Sequence, residues 1–205
     1  MNKKKLFLKI FKKAQKKYGN SAKRLAAEGW KHEWQTLLAT ILSAQSRDET
    51  TIPIAEKFFR KFPTLEKISK TPLAKIESSL GSINYYKTKS KHIKHSAKIL
   101  VEKFNSKLPG TIEELTTLPG VGRKTANLIL SEIHKKPSIT VDTHVHRLSN
   151  VLGLVKTKTP HQTEIALQEI APKNYWSKIN RIFVLWGKDV PGRDKNKLLK
   201  KLGEK

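Results

Sequence analysis

Leu118-Pro119-Gly120-Val121-Gly122-Arg123-Lys124-Thr125-Ala126-Asn127 is the stretch whose reading decides the fold. It lies between a helix opened by Thr111 and the apolar run Ala126, Leu128, Ile129, Leu130 and Ile133. Two glycines around one apolar residue make a tight hairpin between helices and expose amides where the second helix begins. Such amides grip a phosphate of DNA. A plain helix-helix turn is the alternative, and Leu-Pro-Gly alone would supply it. Charge favours the first reading: the 205 residues carry 42 Lys+Arg against 17 Asp+Glu, a formal net charge of +25. A folded chain with that excess implies a polyanionic partner, nucleic acid before a membrane surface, the bland alternative being a lysine-heavy genome.

Working outward, the length suits one globular unit or two small lobes. No apolar run approaches the roughly 18 residues of a membrane span, which excludes an integral membrane protein. With no Cys, disulfide frameworks, thiolate zinc sites, a cysteine nucleophile and a four-thiolate iron–sulfur cluster are excluded. Residues 1–24 hold ten bases and no acid, with Leu6, Phe7, Ile10, Phe11, Ala14 and Tyr18 at helical spacing. They predict a basic amphipathic helix stopped at Gly19. Lysines interrupt its apolar positions throughout, unlike a signal peptide. A mitochondrial transit peptide is the other reading, though such peptides favour Arg.

The rest predicts a succession of about ten short helices. Ser46 with Glu49, Thr111 with Glu114, and Thr159-Pro160 with Gln162 are expected capping boxes, and Thr64 and Thr71-Pro72 further caps. Apolar stripes run between them, such as Trp34, Leu37, Leu38, Ile41 and Leu42. No strand alternation of useful length interrupts the pattern, so the fold class expected is all-α.

The hairpin stretch, followed by Val141-Asp142-Thr143-His144 and preceded by Leu42-Ser43-Ala44-Gln45, resembles the endonuclease III family within the helix-hairpin-helix DNA glycosylases. The likeness runs from about Trp34 to Gly187 in matching order and spacing. The Lys inside the hairpin motif and the Asp eighteen residues later make it more specific than a lone hairpin. It implies two helical lobes with a DNA-binding cleft between them. One is a six-helix barrel at about 26–136 that contains the helix-hairpin-helix at about 112–134. The other is built from both chain ends, 1–25 and 137–205.

Excising a base breaks a C1′–N bond through a transition state with oxocarbenium character, for which a carboxylate beside the sugar and a nucleophile for C1′ are the natural equipment. Lys124 and Asp142 supply that pair. A lysine amine attacks only when neutral, so Lys124 is expected to be partly buried among other cations. The Schiff base it forms acidifies the C2′ proton, giving strand scission by β-elimination and hence a bifunctional enzyme. The related adenine-mismatch and thymine-mismatch glycosylases lack Lys at this position. Asp142 stands just before the stripe Val145, Leu148, Val151, Leu152 and also reads as a helix N-cap, which would hold it rigidly. His144 and His146 have no third ligand nearby, so no metal is expected, and the resemblance puts His144 near DNA.

Gln45 and Tyr85 are the candidates to fill the hole left by an extruded base. The family's Leu-Ser-Ala-Gln glutamine enters the duplex, whereas Tyr85 and Tyr86 read equally well as core. Ile83-Asn84-Tyr85-Tyr86-Lys87-Thr88-Lys89 resembles a family segment that usually has Gly where Asn84 stands, and Asn tolerates positive φ. Further DNA-binding candidates are Lys89, Gly120, Val121, Gly122, Arg123 and Thr125. Ser43 and Asp48 are assigned to the base pocket, though Asp48 equally reads as a first-turn Asp favoured by the helix dipole.

Most family members carry four cysteines around a [4Fe–4S] cluster beyond the Gly matched by Gly187. Here the chain reads Lys188-Asp189-Val190-Pro191-Gly192-Arg193-Asp194-Lys195, so no cluster and no other cofactor is expected. Lys188, Arg193, Lys195 and Lys197 are read as its electrostatic replacement, and the N-terminal helix as a support for the same lobe. The function expected is that of a bifunctional DNA glycosylase and AP lyase for oxidised or ring-saturated pyrimidines. Its expected partner is double-stranded DNA with damaged bases or abasic sites, with no membrane partner, acting as a monomer that is cytoplasmic and DNA-associated. The alternatives are a non-catalytic helix-hairpin-helix module, or a glycosylase for oxidised purines or mismatches.

Overall fold

The computed structural model describes residues 2–203. Met1, Glu204 and Lys205, outermost in the expected second lobe, lie outside the described residues. Among the described residues the secondary structure is helical, with twelve α-helices, one 3-10 turn and no strand. In chain order they are α1 (Lys3–Tyr18), α2 (Glu33–Ser43), α3 (Asp48–Lys61), α4 (Leu65–Lys70), α5 (Leu73–Leu80) and α6 (Tyr86–Phe104), then α7 (Ile112–Thr116), α8 (Arg123–Glu132), α9 (Thr143–Val151), α10 (Pro160–Ile170), α11 (Trp176–Asp189) and α12 (Lys195–Lys201). The chain divides into two compact units, Arg24–His134 and the pair Met1–Lys23 with Lys135–Lys205. No helix among the described residues is long and apolar enough to cross a membrane.

The continuous unit is built around α2. All residues from Gln35 to Leu42 are buried, so this helix is enclosed on every side rather than along one stripe. Its hydroxyl residues fit because they turn back on the helix: Thr40 Oγ1 donates to the Thr36 carbonyl at 2.7 Å, and Ser43 Oγ to that of Thr40 at 3.0 Å. Around it pack α3, α6 and α8, while α4 and α5 lie against α6. Phe58, Phe59, Phe62, Leu65, Ile76, Ile93, Leu115 and Ile129 fill the spaces between them.

The other unit joins the two chain ends. Helix α1 packs on α11 and α10 through Phe7, Ile10, Phe11, Ala14 and Tyr18, the fully enclosed aromatics each contributing about 1.5–3 kcal/mol by burial. Phe7 and Phe11 stack at 5.2 Å, and Phe11 leans on Tyr175 and Phe183. The helix ends at Gly19 as its pattern predicts. Beyond α11, three ties hold the chain. Tyr18 Oη donates to Asp189 at 2.7 Å, Lys201 pairs with the same carboxylate at 3.1 Å, and Lys17 Nζ donates to the Lys201 carbonyl at 2.7 Å.

Several expected caps move. Thr64, Thr111 and Thr159 cap as expected, Thr159 with Gln162 as a full capping box. Ser46 does not: α3 is capped at Arg47, because the Ser46 hydroxyl is taken by Lys89 Nζ at 2.9 Å. Thr71 closes α4 instead of opening α5, its hydroxyl donating to the Lys67 carbonyl.

Candidate nucleic-acid interface

In the continuous unit, α7 and α8 are joined by the turn Thr117–Gly122. Val121 N–H donates to the Leu118 carbonyl at 3.0 Å, its side chain is only 7% exposed in the core, and Ser96 Oγ donates to the Pro119 carbonyl at 2.9 Å. Gly120 has φ +82, and a Cβ there would sit 2.8 Å from His92 Nδ1, so both conformation and space require glycine. At Gly122 φ is −100 and a Cβ would meet nothing in the chain. The hairpin thus corrects one expectation: Val121 anchors the turn from inside, with its amide already used, and offers no donor to DNA. Gly120, Gly122, Arg123 and Lys124 are exposed and Thr125 is half-buried. Lys124, the second residue of α8, does not have the partial burial expected of it.

Two further turns in this unit share a geometry. Ser46 N–H donates to the Ser43 carbonyl at 3.0 Å, with Ala44 at φ −55, ψ 121 and Gln45 at φ 54. This is a type II turn with Gln45 at the position that favours glycine. Tyr86 N–H donates to the Ile83 carbonyl at 3.1 Å around Tyr85, which has φ 58, ψ 32. Both central side chains are exposed, Tyr85 to 66%. The positive φ therefore falls on Tyr85 and not on Asn84, and the core reading of Tyr85 is excluded. Tyr86 is the half-buried one, packed against the core. Asn84 Nδ2 donates to the Gln45 carbonyl at 2.9 Å and joins the two turns.

Lys89 is a second correction. It is 5% exposed, and its ammonium donates to the Leu42 carbonyl at 2.8 Å and to Ser46 Oγ at 2.9 Å. A group so enclosed is not a phosphate contact. Burial lowers its pKa to about 8. The resemblance of residues 83–89 to a family segment ending in Lys made it a DNA-binding candidate. The available signal was the stripe Lys89, Ile93, Ala97, Leu100, which sets it on the buried face of α6. Of the pocket candidates, Ser43 turns its hydroxyl to Thr40, and Asp48, first residue of α3, accepts the Ala26 N–H at 3.2 Å.

In the two-ended unit, Asp142 is the N-cap of α9, Oδ1 accepting the Val145 N–H at 2.9 Å. His144 is half-buried in the first turn. Here α9 and α11 come very close: a Cβ on Gly187 would lie 2.5 Å from His144 Nδ1. Arg147, one turn along, donates to the carbonyls of Gly187 at 2.8 Å, Val190 and Gly192. Burial, and the neighbouring Arg193 charge, lower its pKa. This arginine, which the sequence reading passed over, organises the segment where the resemblance implies cluster cysteines. The donor set does not fit a thiolate-held cluster, since residues 187–194 and the whole chain have no Cys. No group of three or more His, Asp or Glu suited to a metal occurs among the described residues.

Residues 38–173 match the family model of the HhH-GPD superfamily base excision DNA repair protein. Endonuclease III of Thermotoga maritima is 41% identical over 157 residues, covering 77% of this chain and 74% of that protein. Endonuclease III of Buchnera aphidicola is 38% identical over 190 residues, covering 93% and 89%. Among solved structures, a trapped endonuclease III–DNA covalent intermediate superposes with a TM-score of 0.85 at 30% identity, covering 92% of this chain and 88% of that one. A thermostable thymine-DNA glycosylase, at 19% identity and TM-score 0.80 over 97% and 94%, shares the fold.

Proposed function

Because this chain belongs to the endonuclease III family of HhH-GPD base excision DNA repair proteins, we propose that Lys124 and Asp142 carry its glycosylase and AP lyase chemistry. The Lys124 amine gives its lone pair to C1′, and the proton it then loses goes to the departing base. The C1′–N bond breaks with its electrons leaving on the base. Opening of the sugar at O4′ yields the imine, which acidifies the C2′ proton. Loss of that proton expels the 3′ phosphate and cuts the strand, while hydrolysis of the imine frees the lysine. The Asp142 carboxylate balances positive charge developing on the sugar. Its cap to Val145 holds it in one geometry, so little reorganisation is needed as that charge appears.

The observation that carries this reading is the placement of Lys124 in the first turn of α8, directly behind a hairpin pinned from inside by Val121. Gly122 supports it, because an open Cβ direction in the chain leaves room for a phosphate to approach the backbone. Gln45 and Tyr85, both exposed on strained turns, are the proposed fillers of the vacated stack. The substrate is duplex DNA bearing oxidised or ring-saturated pyrimidines or abasic sites. The enzyme works as a monomer, cytoplasmic and DNA-associated, without an iron–sulfur cluster.

Borohydride trapping on a lesion-bearing duplex tests the assignment. Lys124→Gln should lose the covalent adduct and strand cleavage yet bind duplex within about threefold, one charge being a small part of the phosphate footprint. An adduct that persists would assign the nucleophile elsewhere, and wild-type protein that never forms one would make the chain a non-catalytic binder. Asp142→Asn should slow base excision by about 100-fold or more while the melting temperature holds, since an amide still caps α9.

A further inference from the structure

A glutamine at the glycine position of a type II turn is strained, and such a conformation persists only when its surroundings over-determine it. Around Gln45 they do. On one side, Lys89 Nζ holds the Leu42 carbonyl at the end of α2, and on the other side the same ammonium holds Ser46 Oγ. At the centre, Asn84 Nδ2 holds the Gln45 carbonyl itself. One ammonium and one amide, both from residues 84–89, thus fix the turn before, at and after the strained residue. Lys89 reaches these acceptors only by giving up water, a cost that a purely structural lysine at a helix end can avoid by facing solvent. Asn84 reaches Gln45 only because it has a side chain, unlike the glycine usual in the segment it resembles.

We propose that Lys89 and Asn84 are positioning residues that hold the Gln45 turn in its inserting conformation before DNA arrives. This rests on the reading of Gln45 as a filler of the vacated stack. The brace limits the ordering required on binding, so its effect falls on extrusion and excision and not on affinity for undamaged duplex. It also couples the two turns, because Asn84 immediately precedes Tyr85: a shift of one filler is felt by the other.

The test is a double-mutant cycle in single-turnover excision of a ring-saturated pyrimidine, with 2-aminopurine opposite the lesion to report unstacking. Lys89→Met should slow excision about 10- to 100-fold and blunt the fluorescence rise, as misplacement of about an ångström does, while undamaged-duplex affinity changes by less than about threefold. Asn84→Ala should act in the same direction more weakly, and Lys89→Arg should recover part of the loss. Combining Lys89→Met with Gln45→Ala should be no worse than Gln45→Ala alone. Multiplying losses, or Lys89→Met at the wild-type rate, would overturn the proposal while leaving Gln45 as filler. Gln45→Ala at the wild-type rate would overturn the filler reading and the proposal with it. Should Lys89→Met not fold, Asn84→Ala, at an exposed position, carries the same cycle with the same outcomes.

Discussion

Gly120 and Gln45 both take the left-handed backbone, at φ +82 and φ +54, and in the same unit, yet their chemistry is opposite. At Gly120 the fold has removed the side chain: the His92 ring fills the place where a Cβ would stand. At Gln45, and again at Tyr85, the fold keeps a large exposed side chain where glycine would be easier. The first position is governed by packing; at the second, packing does not account for the side chain, and the filler role proposed for Gln45 does. Strain kept on a large exposed side chain is what the proposed filler role of Gln45 and Tyr85 calls for, whereas its removal at Gly120 answers to the His92 ring packed against the turn.

Substitutions that exchange the two solutions test this contrast, beginning with the largest effect on folding. Gly120→Ala puts a Cβ against His92 in a disfavoured backbone conformation and should destabilise the protein by about 1–3 kcal/mol in urea unfolding, with weaker duplex binding. Neutrality would mean that the hairpin yields easily and its geometry is not fixed. Gln45→Gly should do the reverse. Relief of strain, less the entropy of a freer unfolded chain, should raise stability by about 0.5–1 kcal/mol while excision slows. A stability gain without loss of activity would remove function as the reason for the strain. Gly122→Ala should shift stability by less than about 0.5 kcal/mol, because its Cβ meets nothing in the chain. Its effect should appear in duplex affinity alone, and unchanged affinity would show that no phosphate comes close to that backbone.

How far these features were legible follows from the range of the interactions that set them. Helix α1, its stop at Gly19 and the caps at Thr111 and Thr159 depend on neighbours within one turn, and the sequence carries that information. Ser46 had the local signature of a capping box, but its hydroxyl is claimed by Lys89, 43 positions away. Pattern reading has no access to such a rival. Lys89 reads as a DNA contact because a segment likeness places a basic residue there and, in a chain of charge +25, no local signal shows that its ammonium ends on the Leu42 carbonyl and Ser46. Asn84 tolerates positive φ, yet it is Tyr85 that adopts it, while Asn84 bonds to the Gln45 carbonyl through its side chain. Asp142 as an N-cap was readable because a cap is local. The grip of Arg147 on residues 187–192 was not, because it spans about forty positions and leaves no spacing signature.

The division into a continuous unit and one made of both chain ends also sets an order of synthesis. Residues 24–134 contain every helix of their own unit and have what they need to collapse as they leave the ribosome. Helix α1 does not: its partners α10 and α11 are made only after that entire unit, on the order of ten seconds later at ~5–20 residues per second. Through that interval Phe7, Ile10 and Phe11 have no apolar surface of their own unit to cover them, on a helix whose other face is crowded with lysines. The charge that suits the finished protein to DNA therefore serves earlier as well, keeping a nascent sticky segment hydrated and mutually repelling until its late partners emerge.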